Sequence, residues 1–185
     1  MTQFSITDLP LAHLKLVERS CVSDERGYFS RFFCAEELAK AGWKWSVAQI
    51  NHSHTLRQGT IRGLHFQHAP HMEAKYVNCV RGAIWDIAVD LRAGSPTFLK
   101  WHAETLSADN KRALLVPEGC AHGFQSLTDD VEVLYLLSSP YESKAESGLR
   151  FSDPRLSISW PLPATVVSER DKGHPFLGED FRGIA

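Results

Sequence analysis

The chain has 185 residues and a formal charge of −2, which comes from 20 Lys and Arg against 22 Asp and Glu. This length predicts one domain over residues 1–185, and the near-neutral charge argues against broad binding to nucleic acid or to an acidic membrane surface. No apolar run approaches the roughly 18 residues of a membrane helix. The first residues show no basic segment followed by a continuous apolar one, so no signal peptide is predicted. The four cysteines, none of them in a CxxC pair, predict free thiols and a cytoplasmic location.

Short alternations of apolar and polar residues dominate the chain and predict strands. One helix is predicted before them, at residues 35–41, with Gly42 at its C-terminal end. The predicted strands lie at residues 76–80, 83–91, 98–105, 114–116 and 131–137, with turn signals between them. Many short strands at this spacing predict a sandwich or barrel. Beyond Trp160 the chain is rich in Pro and charge, and we expect it to wrap the surface with little regular structure.

Two of the predicted strands separate their side chains onto distinct faces. In residues 83–91, apolar side chains share one face, and Asp86 and Asp90 take the other. In residues 131–137, Tyr135 shares the apolar face. In a barrel that face is the interior, so Tyr135 is predicted to point inward.

The histidines are unevenly placed, and their pattern raises the question of a metal site. His65, His68 and His71 fall within seven residues, Glu73 follows, and His122 lies in the later stretch PEGCAH. These two stretches resemble the paired motifs of the cupin superfamily, which implies a jelly-roll β-barrel. In metal-binding cupins, His and Glu side chains of these motifs converge on Fe, Mn or Ni. A metal-dependent oxygenase or isomerase with His65, Glu73 and His122 as ligands is therefore one hypothesis.

Details of the same stretch argue against that metal site. Gln67, a poor ligand, stands where metal cupins carry the second His of a His-x-His pair. Lys75 lies two residues after Glu73, on the same face of a strand, where its ammonium would oppose a bound cation. His68 and His71 fit a surface loop. We therefore predict no metal at this site.

The remaining residue types suit proton abstraction next to a carbonyl group. His65 is a candidate general base near neutral pH. Lys75 is a candidate cation for the enolate oxygen, and Tyr135 is a candidate acid on the other side of a substrate. Each residue also fits an ordinary structural role: a satisfied core histidine, a solvated lysine at the rim and a core aromatic.

Residues from about 20 to 172 resemble the dTDP-4-dehydrorhamnose 3,5-epimerase family, in order and almost without gaps. The stretches IRGLHFQ at 61–67 and PEGCAHGF at 117–124 are the most specific. The other matching stretches are DERG at 24–27, QINHS at 49–53, VDLR at 89–92, SPTF at 95–98, LS at 106–107, NK at 110–111, DP at 153–154, WP at 160–161 and SERD at 168–171. The resemblance implies an all-β, cupin-type jelly-roll barrel with a few short helices and an irregular C-terminal tail.

The resemblance also implies an activity and a set of roles. Members of the family invert C3 and C5 of a dTDP-linked 4-keto-6-deoxy sugar without a metal or organic cofactor. The implied roles are His65 as base, Asp171 as the carboxylate that holds it, Lys75 at the enolate oxygen and Tyr135 as acid. The implied substrate contacts are Gln49, Asn51, Arg62, His122, Tyr141 on the nucleotide base, Glu146 and Arg170, with Arg26 reaching the neighbouring subunit's substrate in a homodimer.

Three positions depart from the family pattern. Arg31 stands where the motif GxFxE carries a Glu that contributes to nucleotide binding across the dimer, and this reversal of charge affects which base is accepted. Arg170 stands where Lys is common, and Cys120 where Phe is usual. The alternatives to a dTDP-sugar 3,5-epimerase are a C3-only epimerase, an epimerase of GDP- or CDP-linked 4-keto sugars and a non-catalytic sugar-binding barrel.

Overall fold

The computed structural model of the chain describes residues 3–185, which form mostly β-structure. The strands are β1 (Phe4–Asp8), β2 (Lys15–Arg19), β3 (Cys21–Asp24), β4 (Gly27–Ser30), β5 (Gln49–Thr55), β6 (Ile61–Gln67), β7 (Lys75–Arg81), β8 (Ala83–Asp90), β9 (Trp101–Ser107), β10 (Arg112–Val116), β11 (Cys120–Ser126), β12 (Val131–Leu137) and β13 (Glu146–Gly148). The helices are α1 (Ala35–Ala39) and α2 (Glu169–Gly173). Neither helix is long and apolar enough to span a membrane.

Two antiparallel sheets face each other and enclose the core. One has six strands in the order β1-β2-β10-β7-β12-β5, and the other has five in the order β13-β6-β11-β8-β9. Strands β3 and β4 form a separate hairpin. Apart from the pairs β1-β2 and β8-β9, neighbouring strands in the two sheets are not consecutive in sequence, as in a jelly roll. The predicted all-β, jelly-roll architecture is confirmed.

The strand predicted at residues 131–137 forms at those bounds, and the strand predicted at 83–91 ends one residue earlier. The strand predicted at 98–105 was placed wrongly, because β9 covers Trp101–Ser107. Leu99 has a left-handed φ of 58°, and the amide of Phe98 donates to the carbonyl of Ser95. A turn therefore occupies the first part of the predicted strand.

The predicted helix at residues 35–41 is shorter than expected. It ends at Ala39, and Gly42 adopts a left-handed φ of 101° two residues beyond the cap at Lys40. The amide of Trp43 then donates to the carbonyl of Leu38, so the chain reverses directly after the helix. Glycine tolerates this conformation without steric cost, so Gly42 marks the end of the helix in the sequence. The last helical residue is harder to predict, because helix ends vary by one or two residues.

The face of β8 that carries Ile87 and Val89 packs beneath the C-terminal segment, against Leu156 and Ile184. The opposite face of the same strand points between the sheets, where Ala88 joins the central core. The C-terminal segment is mostly irregular, as predicted, but it also contains α2. By covering the five-stranded sheet, this segment brings α2 beside β6.

Candidate active site

A cavity of about 590 Å³ opens between the two sheets. Ten of the predicted catalytic and substrate-contacting residues line it: Asn51, Arg62, His65, Lys75, His122, Tyr135, Tyr141, Glu146, Arg170 and Asp171. Ser53, Gln67, Glu73 and Phe124 are among the other residues that line it. Residues spread over more than 120 positions of the chain therefore meet in one pocket.

A buried carboxylate holds the central histidine of the pocket. The Nε2 atom of His65, on β6, lies 2.8 Å from Oδ1 of Asp171, and the amide of Gly63 donates to Oδ2 at 3.1 Å. Burial opposes ionisation of Asp171, but the bond from His65, its charge and the Gly63 amide outweigh burial and lower the pKa of the carboxyl to about 2. Asp171 is therefore a carboxylate at neutral pH, which keeps the proton on Nε2 and leaves Nδ1 with a lone pair.

Local structure on both sides fixes this pair. Ser168 caps α2 by accepting a hydrogen bond from the amide of Asp171 at 3.1 Å, which turns the carboxylate inward. Gly63 has a φ of 130°, and a Cβ atom there would lie 2.6 Å from the Cα atom of Gly123. Only glycine lets β6 approach β11 this closely while its amide points at Asp171.

Lys75 and Glu73 form an ion pair in the wall of the pocket. The Nζ atom of Lys75 lies 3.2 Å from Oε1 of Glu73 and donates to the carbonyl of His65 at 3.0 Å. Both side chains are more than nine-tenths buried. The ammonium is therefore held close to the histidine, ready to stabilise a negative oxygen in the pocket.

Tyr135 reaches the pocket from the opposite sheet. It lies on β12 of the six-stranded sheet, whereas His65 lies on β6 of the five-stranded sheet. Tyr135 packs against the apolar core between the sheets, which agrees with the inward face predicted for it. A substrate between the two sheets thus has a histidine on one side and a phenol on the other.

A second histidine–aspartate pair lies on the same sheet as His65. The Nε2 atom of His122 is 2.8 Å from Oδ1 of Asp86, and the other carboxylate oxygen has no partner among residues 3–185. Complete burial raises the pKa of Asp86, although His122 and Lys75 oppose the rise. No role for Asp86 was predicted from the sequence, although its carboxylate among the apolar side chains of one strand was a signal.

Polar side chains at the mouth of the pocket are bonded to one another. The hydroxyl of Tyr141 donates to Glu146 at 2.8 Å, and Arg170 donates to both oxygens of the same carboxylate at 3.0 and 3.1 Å. Gln49 accepts from the amide of Tyr141 and donates to Asn51, although it does not line the cavity itself. The bond to Glu146 raises the pKa of Tyr141, so its exposed ring stays neutral.

The remaining predicted contacts lie apart from this group. Arg62 donates to Thr55 and to the carbonyl of His54 at the pocket wall. Arg26 pairs with Asp24 at the tip of the β3–β4 hairpin, and Arg31 pairs with Glu37 at 2.8 Å. Neither Arg26 nor Arg31 lines the pocket of its own chain, so their contact with substrate stays a prediction about a second subunit.

The three ligands of the metal hypothesis each have a different partner. His65 bonds Asp171, Glu73 pairs with Lys75, and His122 bonds Asp86. His68 and His71 lie in the loop after β6, as predicted.

A different group, His65 with Asp171 and His174, brings its nitrogen and oxygen atoms within 4.8 Å of one another. The guanidinium of Arg170 lies 3.3 Å from Nε2 of His65, and its charge opposes a cation at that point. The donor set therefore does not favour a metal ion.

The fold and the pocket together define a cupin-like protein that carries acid–base groups on both sides of its cavity. The dTDP-4-dehydrorhamnose 3,5-epimerase family matches residues 8–179. A dTDP-4-dehydrorhamnose 3,5-epimerase from Sinorhizobium fredii is 42% identical over 172 residues, which cover 92% of this chain and 88% of that protein. A dTDP-4-dehydrorhamnose 3-epimerase from Streptomyces niveus is 40% identical over 158 residues, 85% of this chain and 76% of that protein.

Solved structures agree with these relatives. The crystal structure of dTDP-4-dehydrorhamnose 3,5-epimerase from Bacillus anthracis, with TDP and PPi bound, has a TM-score of 0.91 and 38% identity. The match covers 94% of this chain and 99% of that one. The chain belongs to the dTDP-4-dehydrorhamnose 3,5-epimerase family.

Proposed function

We propose that this chain is an isomerase that inverts C3 and C5 of dTDP-4-dehydro-6-deoxy-D-glucose to give dTDP-4-dehydro-L-rhamnose, in deoxysugar biosynthesis. One observation carries the proposal: His65 and Tyr135 enter the pocket from opposite sheets. Inversion requires a proton to leave one face of a carbon and another to arrive on the opposite face. An acid and a base on the same wall would return the proton to the side from which it came.

The first step is removal of a proton next to the C4 ketone. Nδ1 of His65 takes the proton from C3 or C5, the C–H electron pair forms a C=C bond to C4, and the carbonyl pair moves to oxygen as an enolate. Lys75 stabilises that oxygen with its ammonium. Asp171 stabilises the imidazolium through Nε2, as a carboxylate with a pKa of about 2 is able to do.

The second step returns a proton from the other side. Tyr135 donates its hydroxyl proton to the carbon, the C=C pair re-forms a C–H bond, and the carbonyl is restored. Solvent then reprotonates the tyrosinate and takes the proton from His65. A turn of the sugar between the two inversions lets the same acid and base serve C3 and C5.

The mouth of the pocket suits the nucleotide half of the substrate. Arg62 and Arg170 provide positive charge for a diphosphate. Tyr141 is 53% exposed and neutral, which supports stacking on a base. Arg170 is tied to Glu146 in the free pocket, so we expect substrate binding to exchange that bond for one to phosphate.

The same proposal includes a homodimer, a cytoplasmic location and a single domain over residues 1–185 of each chain. The β3–β4 hairpin exposes 67% of Val22 and 71% of Phe29, and the edge strand β5 exposes 58% of Ile50. Such apolar edges favour pairing with a second copy, and the side chain of Arg26, paired with Asp24, is exposed at the hairpin tip, where a partner's pocket would lie within its reach. Light scattering near the 20.8 kDa monomer mass at micromolar concentration, with full activity, would refute the dimer.

The experiment that tests the function is proton NMR in D₂O with dTDP-, GDP- and CDP-linked 4-keto-6-deoxy sugars. We expect deuterium to enter at C3 and C5 of the dTDP sugar and inverted product to accumulate, and His65→Ala to abolish both. Exchange at C3 alone would identify a C3-only epimerase, as in the Streptomyces niveus relative. Preference for GDP or CDP would assign a different nucleotide, and no exchange with any sugar would refute an epimerase.

A further inference from the structure

A histidine that the proposed mechanism does not use lies directly behind the His65–Asp171 pair. His174 follows α2, and its ring occupies the space beside Gly148, where a Cβ atom would collide with the imidazole. Gly148 pairs with His65 in the register of β13 and β6. The side chain of His174 is 16% exposed, so one edge of the ring reaches solvent while the rest is enclosed.

The buried nitrogen of this ring faces the same carboxylate oxygen as His65 does. Nε2 of His174 lies 3.9 Å from Oδ1 of Asp171 and has no hydrogen-bond partner within residues 3–185. Oδ2 of Asp171 already accepts from Gly63. Two imidazoles therefore face one oxygen, and only His65 is bonded to it.

We propose that His174 is a positioning residue that competes with His65 for Oδ1 of Asp171: when neutral it leaves the dyad intact, and when protonated it draws the carboxylate away. An imidazolium at 3.9 Å from a carboxylate gains a charge-assisted hydrogen bond by closing about 1 Å, whereas a neutral ring gains much less. The inference rests on the proposed function of His65 as base. If His65 is the base, protonation of His174 is a second protonation that stops the reaction in acid.

The surroundings of His174 keep it neutral at physiological pH. Burial is the main cause that lowers the pKa of His174, and the neighbouring charges of His65 and Arg170 lower it further. The charged and titratable groups that face it are His65 on β6, Arg170 and Asp171 on α2, Glu146 on β13, and Arg150, which donates to the carbonyl of His174. Asp171 and Glu146 oppose the shift without reversing it. Protonation of His174 therefore needs a lower pH than protonation of an ordinary histidine.

The test is the pH dependence of kcat/KM for the chain and for His174→Gln, with His68→Gln as the control in an exposed loop. Two protonations that each stop catalysis give an acid limb whose slope approaches two, and one protonation gives a slope of one. We expect slopes of two for the parent and for His68→Gln, and one for His174→Gln. The ratio of variant to parent then rises about tenfold per pH unit in acid, while the two agree within about threefold at pH 8.

Acid limbs of slope one for both parent and His174→Gln would overturn the proposal. If His174→Gln folds poorly, His174→Phe fills the same space beside Gly148 without titrating and is expected to give a slope of one. NMR of the free parent enzyme provides a test that needs no substrate. We expect the Nε2 proton of His65, bonded to Asp171, to broaden or shift as His174 titrates; a signal that is unchanged through this titration also overturns the proposal, whether or not the sugar is a substrate.

Discussion

Replacing Asp171 by Asn tests the central pair of the site with almost no change in shape. The amide has one acceptor where the carboxylate has two, and both oxygens of Asp171 accept hydrogen bonds, from His65 and from Gly63. If the Asn oxygen keeps the Gly63 amide, its NH₂ group faces Nε2 of His65. The proton of the imidazole then moves to Nδ1, which leaves no lone pair for the substrate.

The expected loss of activity is large, and the expected loss of stability is moderate. A general base in the wrong tautomer loses roughly 10²–10⁴-fold in rate. The pKa of Asp171 is about 2 in the folded chain against 3.8 ordinarily, which corresponds to about 2 kcal/mol of stability at neutral pH. Because the folded value is the lower one, this stability is present above about pH 4 and is lost as the pH falls toward 2. For a chain of this size we expect Asp171→Asn to lower Tm by about 4–8 °C at pH 7.

Asp90→Asn is the matched control. Asp90 is also buried and has a pKa of about 2, because bonds from Arg92, Ser95 and Thr97 outweigh its burial, but it does not line the pocket. Deuterium exchange by NMR and thermal melts between pH 2 and 8 are measured for both variants. We expect similar losses of stability and a loss of exchange in Asp171→Asn alone. Parent-like exchange in Asp171→Asn, or an equal loss in Asp90→Asn, would show that the carboxylate does not act through His65.

Other substitutions separate the remaining roles. Tyr135→Phe should keep deuterium exchange and lose inverted product with little change in Tm; normal inversion would make Tyr135 a core aromatic only. Lys75→Met should abolish exchange and cost about 3–5 kcal/mol in urea unfolding, because it leaves Glu73 buried without its partner; retained exchange would remove Lys75 from the mechanism. Asp86→Asn should keep exchange, because His122 retains a hydrogen bond. The same variant should have a raised KM. The pKa of Asp86 is raised, so its ionisation destabilises the fold as the pH rises. The variant should therefore be no less stable than the parent at pH 7. Loss of exchange in this variant would instead place the His122–Asp86 pair in the proton transfers.

The sequence predicted those parts of the fold that depend on local alternation. The period of two in residues 131–137 identifies β12 and the inward face of Tyr135, since a strand buried against one core must alternate. The surroundings of β8 are harder to predict, because both of its faces are buried, one of them under the C-terminal segment. Periodicity revealed the apolar face but not what covers it.

The parts of the site that the sequence left out depend on segments that meet only in three dimensions. The role of Asp171 came from a family resemblance, and α2, which presents it, spans only five residues in a segment rich in Pro and charge. His174 matches no motif, and its place beside Gly148 and Asp171 is visible only in the structure. Arg31 was singled out by its charge, but it pairs with Glu37 outside the pocket, and a contact with substrate requires a second subunit.

The two histidine–aspartate pairs have the same hydrogen-bond distance, but the pKa values of their carboxyl groups are shifted in opposite directions. Each has a nitrogen–oxygen distance of 2.8 Å. The second oxygen of Asp171 accepts the Gly63 amide, whereas the second oxygen of Asp86 has no partner among residues 3–185. Complete burial raises the pKa of Asp86, whereas the bond from His65, its charge and the Gly63 amide outweigh burial and lower the pKa of Asp171. In the proposed mechanism, the lowered pKa of Asp171 favours the charged carboxylate that stabilises an imidazolium at His65, whereas the raised pKa of Asp86 disfavours the charged form beside His122.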